Sequence, residues 1–453
     1  MARLKNRKGT ALILSLILVV VFSVLAISLA TQSSANVQIA FNQHKVSRAF
    51  ANAESGLEVV RYWLSRVIVP RSTSESAYFD AIVDYVQNDL ETSGIGGIVL
   101  YDDGGVPAIS LASTATSNFE AQISSVAGNS DIVQVDVTGR FEDITRTLRV
   151  NFTLEPYEHP IFNFGLATKG PLNLPGNPTL IGANANWEAD VYVESSTSNT
   201  AVYVGGNTNF DGDVSIGNPD ADAKFVGDVL IAGDQGQAAI DNHVFRGVDP
   251  TDFPVPDTAH FRQYATGDIV DSSTDLTGGM TLNNATIVAG TNPTFASSVV
   301  VQGILLIESP NVVTFGRNIE LRGIIVAEGS LECPGDDKIT FCGNFGTAPY
   351  PAGSEFDAIR QETGSSIVAP GFAASFQGNF STLDGVMAVS GVHFSGNSNA
   401  IVKGTIINYS DEAAVVEGNA SMQFDRLNST KIPSGFDTHR VLSYEPSSYA
   451  VIK

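Results

Sequence analysis

The chain has 453 residues and a net charge of −23 at pH 7; 43% of its residues are hydrophobic and 16% are charged. This balance excludes a disordered chain, and the negative charge excludes nucleic acid and anionic lipid surfaces as partners of the body. With 42 Gly and only 4 Met, the composition favours short strands and tight turns, and the length predicts either a stalk with one large domain or two domains.

The N-terminal region has the charge pattern of a membrane anchor. Residues 1–9 contain four Lys or Arg and no acidic residue, and residues 10–30 contain no charge, proline or glycine. At 1.5 Å per residue such a helix is roughly 30 Å long, which matches the hydrocarbon core of a bilayer. Because the cations precede the span, the positive-inside rule places residues 1–9 in the cytoplasm and the rest of the chain outside.

A cleaved secretory signal ending at Ala30 is the alternative. Two features argue against it: the apolar run exceeds the usual h-region of about 7–15 residues, and apolar residues continue at three- and four-residue spacing as far as Leu64. This spacing predicts one helix from about residue 10 to 66, roughly 85 Å long, which Pro70 would end.

The leader and the helix carry a recognisable pattern. The leader ends in Gly9, and the helix leads into Phe50-Ala51-Asn52-Ala53-Glu54-Ser55-Gly56-Leu57. Over residues 5–66 the chain resembles PilX-type minor pilins, and it is similar to the large minor pseudopilin of type II secretion systems.

The resemblance implies how the chain is processed and assembled. A prepilin peptidase would cut after Gly9, making Thr10 the new N-terminus. The helix would leave the inner membrane to pack with major and minor pilins in a filament at the cell surface. Most pilins carry Glu at the fifth mature position, where this chain has Leu14 as its filament contact. PilX-type and large pseudopilin-type members commonly lack that Glu too.

Residues 72–160 are predicted to form a small α+β connector after the stalk helix of residues 10–71. Apolar residues between positions 79 and 90 follow helical spacing. Residues 132–137 and 147–154 alternate between apolar and polar, which predicts two strands joined by a turn within residues 139–146. A similar strand pair follows the helix in many PilX-type proteins.

Residues 161–435 have the pattern of a repeated β-structure. Short apolar strands are separated by Gly-Asn corners, among them Gly206-Asn207, Gly378-Asn379, Gly396-Asn397 and Gly418-Asn419. A repeat of about 20 residues is typical of solenoids, and Asn side chains can form hydrogen-bonded ladders between rungs. We expect a right-handed parallel β-helix as the head, with a β-sandwich as the alternative. The Pro-containing residues 241–271 and 333–362 are expected to project as loops, and residues 436–453 to form a tail.

No catalytic motif is found, and the six histidines do not cluster in the sequence. Asp211, Asp213, Asp220 and Asp222 lie near turns and are weak calcium candidates, although acidic turns are ordinary in so acidic a body. No other cofactor is expected. The only two cysteines, Cys333 and Cys342, lie close in sequence, which favours a disulfide outside the cytoplasm.

These observations predict a non-enzymatic minor pilin or pseudopilin-like subunit of a type IV pilus or type II secretion-like apparatus. We expect it at the tip or at the start of assembly, presenting its head to a surface carbohydrate or protein. The alternatives are a membrane-anchored carbohydrate-active enzyme of the β-helix class and a surface adhesin with an uncleaved anchor.

Overall fold

The computed structural model describes residues 8–93, 108–109, 117–331, 336–395, 399–436 and 439–452. The chain forms two compact units. Unit 1 comprises the residues up to Pro156 together with the segment that begins at His439, and unit 2 comprises Tyr157–Thr438.

Three α-helices are described: α1 (Lys8–Leu64), α2 (Tyr78–Thr92) and α3 (Gln237–His243). Short 3-10 helices are formed by Glu75–Ala77, Pro160–Asn163, Asn186–Ala189, Ala259–Tyr264, Ser354–Phe356 and Ile359–Gln361.

The strands are numbered in chain order. The first five belong to unit 1: β1 (Ile68–Pro70), β2 (Ala108–Ile109), β3 (Ser117–Val126), β4 (Asn129–Phe141) and β5 (Ile144–Pro156). Unit 2 begins with β6 (Leu166–Thr168), β7 (Leu172–Leu174), β8 (Thr179–Gly182), β9 (Val191–Val193), β10 (Thr200–Gly205), β11 (Asn209–Phe210), β12 (Val214–Ile216), β13 (Asp222–Val226), β14 (Leu230–Ile231), β15 (Asp234–Gln235) and β16 (Val244–Arg246). It continues with β17 (Ile269–Val270), β18 (Met280–Ile287), β19 (Thr294–Phe295), β20 (Val299–Glu308), β21 (Val312–Phe315), β22 (Ile319–Glu328), β23 (Lys338–Phe341), β24 (Phe345–Thr347) and β25 (Ser365–Phe376). The last strands are β26 (Thr382–Leu383), β27 (Val386–Phe394), β28 (Asn399–Val402), β29 (Ile406–Asn408), β30 (Ala414–Val416), β31 (Ser421–Phe424) and, back in unit 1, β32 (His439–Val451).

Unit 1 is an antiparallel sheet with the strand order β1-β32-β5-β4-β3-β2, covered by the C-terminal part of α1 and by α2. The sheet forms because β4 and β5 alternate between buried apolar and more exposed side chains, which suits a sheet with one covered face. The predicted hairpin is confirmed, although its strands extend further and leave only Glu142 and Asp143 in the turn.

The segment predicted as a C-terminal tail forms β32. Its residues pair with β5 on one side and β1 on the other, from Arg440 opposite Pro156 onward. Leu442 is buried in the core of unit 1, and Ser448 Oγ accepts a hydrogen bond from the Asn151 amide at 2.7 Å. The sequence alternates too weakly here to indicate a strand.

Unit 2 consists of a 19-stranded and a 7-stranded sheet. Its described strands pair in parallel except for β14 and β15, which are antiparallel. Strands β20 and β22 illustrate the register, since Val299 lies opposite Ile319 and Glu308 opposite Glu328. The prediction of a mainly β chain with a long N-terminal helix is thus confirmed, and parallel sheets are present.

The two ends of unit 2 meet in both of its sheets. Strand β6 pairs in parallel with β29, and β8 pairs with β31, so that Leu166 lies opposite Ile406 and Thr179 opposite Ser421. The first strands of the unit are therefore added beside its last ones. Two Gly-Asn corners stack in the same place: Asn177 Nδ2 donates to Asn419 Oδ1 at 3.2 Å, which forms part of the expected Asn ladder. The predicted corner Gly396-Asn397 lies outside the described residues.

One predicted corner shows why glycine is needed there. Gly206 has a positive φ of 74°, and a Cβ at this position would lie only 1.7 Å from the Gly176 carbonyl oxygen. The neighbouring strands approach too closely for any larger residue.

The core of unit 2 contains a column of stacked phenylalanines contributed by successive strands. Phe295, Phe315, Phe341, Phe376 and Phe394 lie opposite one another in register. Neighbouring ring centroids are 5.0, 5.4, 4.7 and 4.9 Å apart with nearly parallel planes.

The two stretches expected to project as loops instead pack onto the body where they are described. Phe253 and Phe261 from the first, and Phe356 and Ile359 from the second, are buried in one cluster with core residues such as Ile304. The expectation was wrong because it weighed the prolines and overlooked these apolar anchors, whose burial stabilises the packed conformation.

Candidate functional site

The N-terminal half of α1 has no partner for its apolar surface. Every side chain from residue 11 to 44 is exposed, although most of those in residues 11–30 are hydrophobic. Within the described residues, α1 is the helix that is long and apolar enough to cross a membrane. Such a surface requires a bilayer or other helices around it.

The predicted processing and contact residues lie at the start of this helix. Gly9 and Thr10 fall in the first turn of α1, and the leader before Lys8 lies outside the described residues. Leu14 follows on the same helix, and its side chain is 69% exposed. The three residues are thus close together along α1, and Leu14 lies in its exposed part.

The second half of α1 binds the sheet of unit 1 through small residues. Ala49 and Ala53 are fully buried, and Gly139 on β4 lies against them so closely that a Cβ there would be 2.2 Å from the Ala49 carbonyl oxygen. Gly56 lies similarly close to Phe119: a Cβ at Gly56 would be 2.5 Å from the Phe119 ring. The Ala-Glu-x-Gly-Leu stretch is therefore the helix's contact with the sheet, while Glu54 and Ser55 face away.

Polar contacts fix the same part of the helix to the β4–β5 turn. Lys45 Nζ lies 2.6 Å from a Glu142 oxygen and 2.8 Å from an Asp143 oxygen. Asn52 Nδ2 donates to the Arg140 carbonyl at 2.7 Å. The hydrogen bond from Lys45 holds the pKa of Asp143 below its ordinary value.

Three of the four calcium candidates have other partners. Asp211 accepts a hydrogen bond from the Gly182 amide, Asp213 Oδ1 lies 2.8 Å from His243 Nδ1, and Asp222 pairs with Arg246 at 2.5 Å. Asp220 lies in the turn before β13. Among the residues that the structure describes, no group of three or more His, Cys, Asp or Glu side chains could hold a metal ion.

The predicted disulfide stays a prediction. Cys342 is exposed directly after β23, and Cys333 lies outside the described residues. Alkylation of the unreduced protein would test it, because a bridged pair has no thiol to react.

Sequence analysis missed a buried polar cluster at Glu188 and Arg426. The Glu188 carboxylate accepts hydrogen bonds from four backbone amides, those of Asn184, Ala185, Arg426 and Leu427. Arg426 donates to the Phe162 carbonyl at 2.6 Å, and burial lowers its pKa to about 10. Such a cluster fixes the loop after β31 against the Asn186–Ala189 helix. No local signal could reveal it, because its members are far apart in the sequence.

Comparison with known proteins identifies the N-terminal helix. Residues 8–58 match the family described as PilX N-terminal, which confirms the resemblance predicted for this region. No curated protein matches the chain.

Solved structures that match have low similarity scores. A competence-associated pilin ComZ from Thermus thermophilus is 14% identical with a TM-score of 0.23, covering 90% of this chain and 97% of that chain. An ice binding protein from an Antarctic Biological Consortium is 13% identical with a TM-score of 0.22, covering 60% of this chain and 89% of that one. Because both TM-scores are low, neither likeness supports a statement about fold or function. The family match stands by itself: over residues 8–58, within α1, the chain is similar to the PilX N-terminal family.

Proposed function

We propose that the chain is a non-enzymatic minor pilin or pseudopilin-like subunit of a type IV pilus or related secretion apparatus. The observation that carries the proposal is the division of α1. Its first half exposes an apolar surface suited to a bilayer and then to a helical filament core, while its second half packs on a folded domain. The family match at residues 8–58 agrees with this division.

The head that this subunit presents is, in our proposal, a right-handed parallel β-solenoid. Val299 lies opposite Ile319 in a parallel pair. Pairing between residues about 20 positions apart supports a solenoid in which each turn of the chain takes about 20 residues. The column of stacked phenylalanines supports it as well, because identical side chains line up when successive rungs superpose. The right-handed sense follows from the strong preference of parallel connections within a sheet.

Processing provides the first test of this function. We predict cleavage between Gly9 and Thr10 in cells that contain a prepilin peptidase, with the C-terminal body outside the cytoplasm. The intact mass of the native protein would then begin at Thr10. Gly9→Leu should block the cut, because a bulky side chain replaces the leader glycine, whereas the matched control Ala30→Leu should leave the mass unchanged. A mature start at Met1 or at Thr31 would contradict the proposal.

Assembly provides the second test. Major pilin should co-purify with the processed chain after crosslinking of sheared filaments, and the Gly9→Leu variant should remain in the membrane fraction. Recovery of the wild-type chain in membranes alone, with no pilin bound, would favour a surface adhesin with an uncleaved anchor.

A further inference from the structure

Unit 2 has a polar cleft of 430 Å³ along one of its corners. The cleft is lined by the loop after β24, by the start of β25, by the turns before β27 and β29, and by the loop that follows β31. Its volume lies within the range of about 300–1,000 Å³ that is typical of small-ligand sites.

The floor of the cleft is held by internal hydrogen bonds. Ser365 Oγ donates to the Ser434 carbonyl and Ser366 Oγ to the Asp384 carbonyl, each at 2.6 Å. The Glu362 carboxylate is buried and accepts from Tyr264 Oη at 2.5 Å, with His260 Nε2 at 2.8 Å. These contacts leave the floor fixed before any ligand arrives, which reduces the entropy lost on binding.

The rim, in contrast, carries polar side chains whose hydrogen-bonding capacity is unused. Lys403, Asp384 and Asn428 line the cleft with exposed side chains, and within the described residues none of them makes a side-chain hydrogen bond or ion pair. The hydroxyl groups of Thr363 and Thr430 are in the same state. The rim therefore presents a cation, a carboxylate, an amide and hydroxyls to whatever enters.

The loop that lines the cleft also contacts an exposed aromatic ring that lies outside the lining. Asp425 and Asn428 line the cleft, and between them Arg426 places its guanidinium 5.5 Å from the centre of the Trp187 ring. Trp187 is 47% exposed, although tryptophan is usually well buried. Trp187 does not itself line the cleft, so the groups that meet a ligand are the polar ones of the rim.

We propose that this cleft binds a neutral oligosaccharide on a target surface; the inference rests on the proposed function and names the ligand class of its head. Sugar hydroxyls can both donate and accept, so they can satisfy Lys403, Asp384 and Asn428 together. An acidic glycan is disfavoured because the three carboxyl groups of Glu362, Asp384 and Asp425 outnumber the two cations Arg360 and Lys403 in the lining of the cleft, and the chain has a net charge of −23.

Binding is tested on the full-length chain in a detergent without a sugar headgroup. The probes are lactose, maltose, mannobiose and chitobiose, with digalacturonate as the acidic comparison, and the readout is saturation-transfer NMR. We expect at least one neutral disaccharide to bind. Lys403→Ala and Asp384→Ala should each weaken it at least tenfold, whereas the matched exposed controls Lys224→Ala and Asp228→Ala should leave it unchanged.

Fluorescence gives a control for binding outside the cleft. The chain has two tryptophans, and Trp63 is buried, so iodide should quench mainly Trp187. Because Trp187 does not line the cleft, this quenching should be the same with and without the bound sugar, and a change would indicate binding outside the cleft. Binding of digalacturonate alone, no binding of any neutral probe, or equal affinity in the Lys403→Ala and Lys224→Ala variants would overturn the inference.

The same variants separate this inference from the proposed function. Lys403 lies far from α1 in the sequence. The Lys403→Ala variant should therefore be processed and recovered in filaments as the wild type is. If the wild-type chain binds the sugar but never enters filaments, the pilin function fails while the cleft assignment stands. If the wild-type chain enters filaments and binds no neutral sugar, the cleft assignment fails while the pilin function stands.

Discussion

Gly139 is the residue at which helix and sheet of unit 1 approach most closely. A Cβ would lie 2.2 Å from the Ala49 carbonyl oxygen and 2.3 Å from the Ala53 amide nitrogen, both backbone atoms of α1. Alanine normally stabilises a strand relative to glycine, but here it must displace the helix. We therefore predict that Gly139→Ala lowers the free energy of unfolding of unit 1 by about 1–3 kcal/mol.

The measurement uses Trp63, which is buried in the core of unit 1. In a Trp187→Phe background it is the remaining tryptophan, so its urea unfolding curve reports on unit 1. Gly278→Ala is the control, because a Cβ at Gly278 meets nothing within 4 Å. A transition of Gly139→Ala that coincides with this control would show that the helix does not pack on β4 as described.

Asp190 provides a pH-dependent contribution to the stability of unit 2. Burial raises its pKa to about 6, and nearby Asp213 adds to this, against the opposing effects of the Asp213 amide and Arg426. A folded-state pKa above the unfolded value of about 3.9 means that the folded chain holds a proton that the unfolded chain has lost. The stabilisation is therefore complete below pH about 4 and is lost as the pH rises through about 6.

Asp190→Asn should remove this dependence while keeping the oxygen that accepts from the Asp213 amide at 2.8 Å. We predict that, relative to the wild type, the free energy of unfolding of the variant rises by about 1–2 kcal/mol between pH 4 and pH 7. The change is smaller than the whole pKa shift would give, because the carboxyl group is partly exposed. Urea titrations at both pH values, followed through Trp187, measure it. Parallel stability curves for the two proteins would contradict the prediction; Asp228→Asn is the control.

At the scale of elements, the sequence predicts what local spacing determines. The α1 helix and the β4–β5 hairpin are recognisable because their buried residues repeat every three to four or every two positions. The pairing of β6 with β29 and of β32 with β5 could not be predicted in this way. These contacts join distant parts of the chain, and short strands such as Leu166–Thr168 have too few residues to specify a partner by pattern.

The phenylalanine column is an element whose contribution can be measured. Phe341 stacks between Phe315 and Phe376, with centroids 5.4 and 4.7 Å away, and it is 1% exposed. Phe341→Ala would leave a cavity in the column, because the paired strands on both sides cannot close it. We predict a loss of about 3–5 kcal/mol in the free energy of unfolding of unit 2.

The comparison variant is Phe245→Ala on β16, whose ring is 45% exposed. It should change the stability by no more than about 0.5 kcal/mol. Both are measured by urea unfolding through Trp187 in a Trp63→Phe background. Equal effects of the two substitutions would mean that the phenylalanine column does not stabilise the core of unit 2.

For the whole molecule, the sequence predicts only the candidate processing and filament-contact residues at the start of α1. Gly9, Thr10 and Leu14 lie within a few positions of one another, so a local motif contains them. The polar cleft combines residues from Gly323 to Thr430, and the Glu188–Arg426 cluster joins two ends of unit 2. Only the fold brings such residues together, and their types are common on any acidic surface.

Leu14 and the size of the body lead to a prediction of where the chain would lie in a filament. In pilins that carry Glu at the fifth position, this carboxylate is expected to pair with the N-terminal ammonium of the subunit above, where an unpaired charge among apolar helices is costly. Leu14 cannot provide that pairing, so the chain is poorly suited to join beneath another subunit. As the first subunit it loses nothing, because the next subunit's Glu can still neutralise its Thr10.

We therefore predict a tip or initiating location with low copy number. A body that extends from the end of α1 to residue 453 would also crowd a close-packed shaft. Immunogold labelling of sheared filaments with antibody against unit 2 should give single particles at one end. Leu14→Glu restores the missing carboxylate and should permit some labelling along the shaft, whereas Leu14→Ile should label as the wild type does. Regular decoration of wild-type shafts contradicts the tip position. Absence of the chain from filaments, with major pilin still bound to it in the membrane, would instead assign it to a membrane-bound assembly factor.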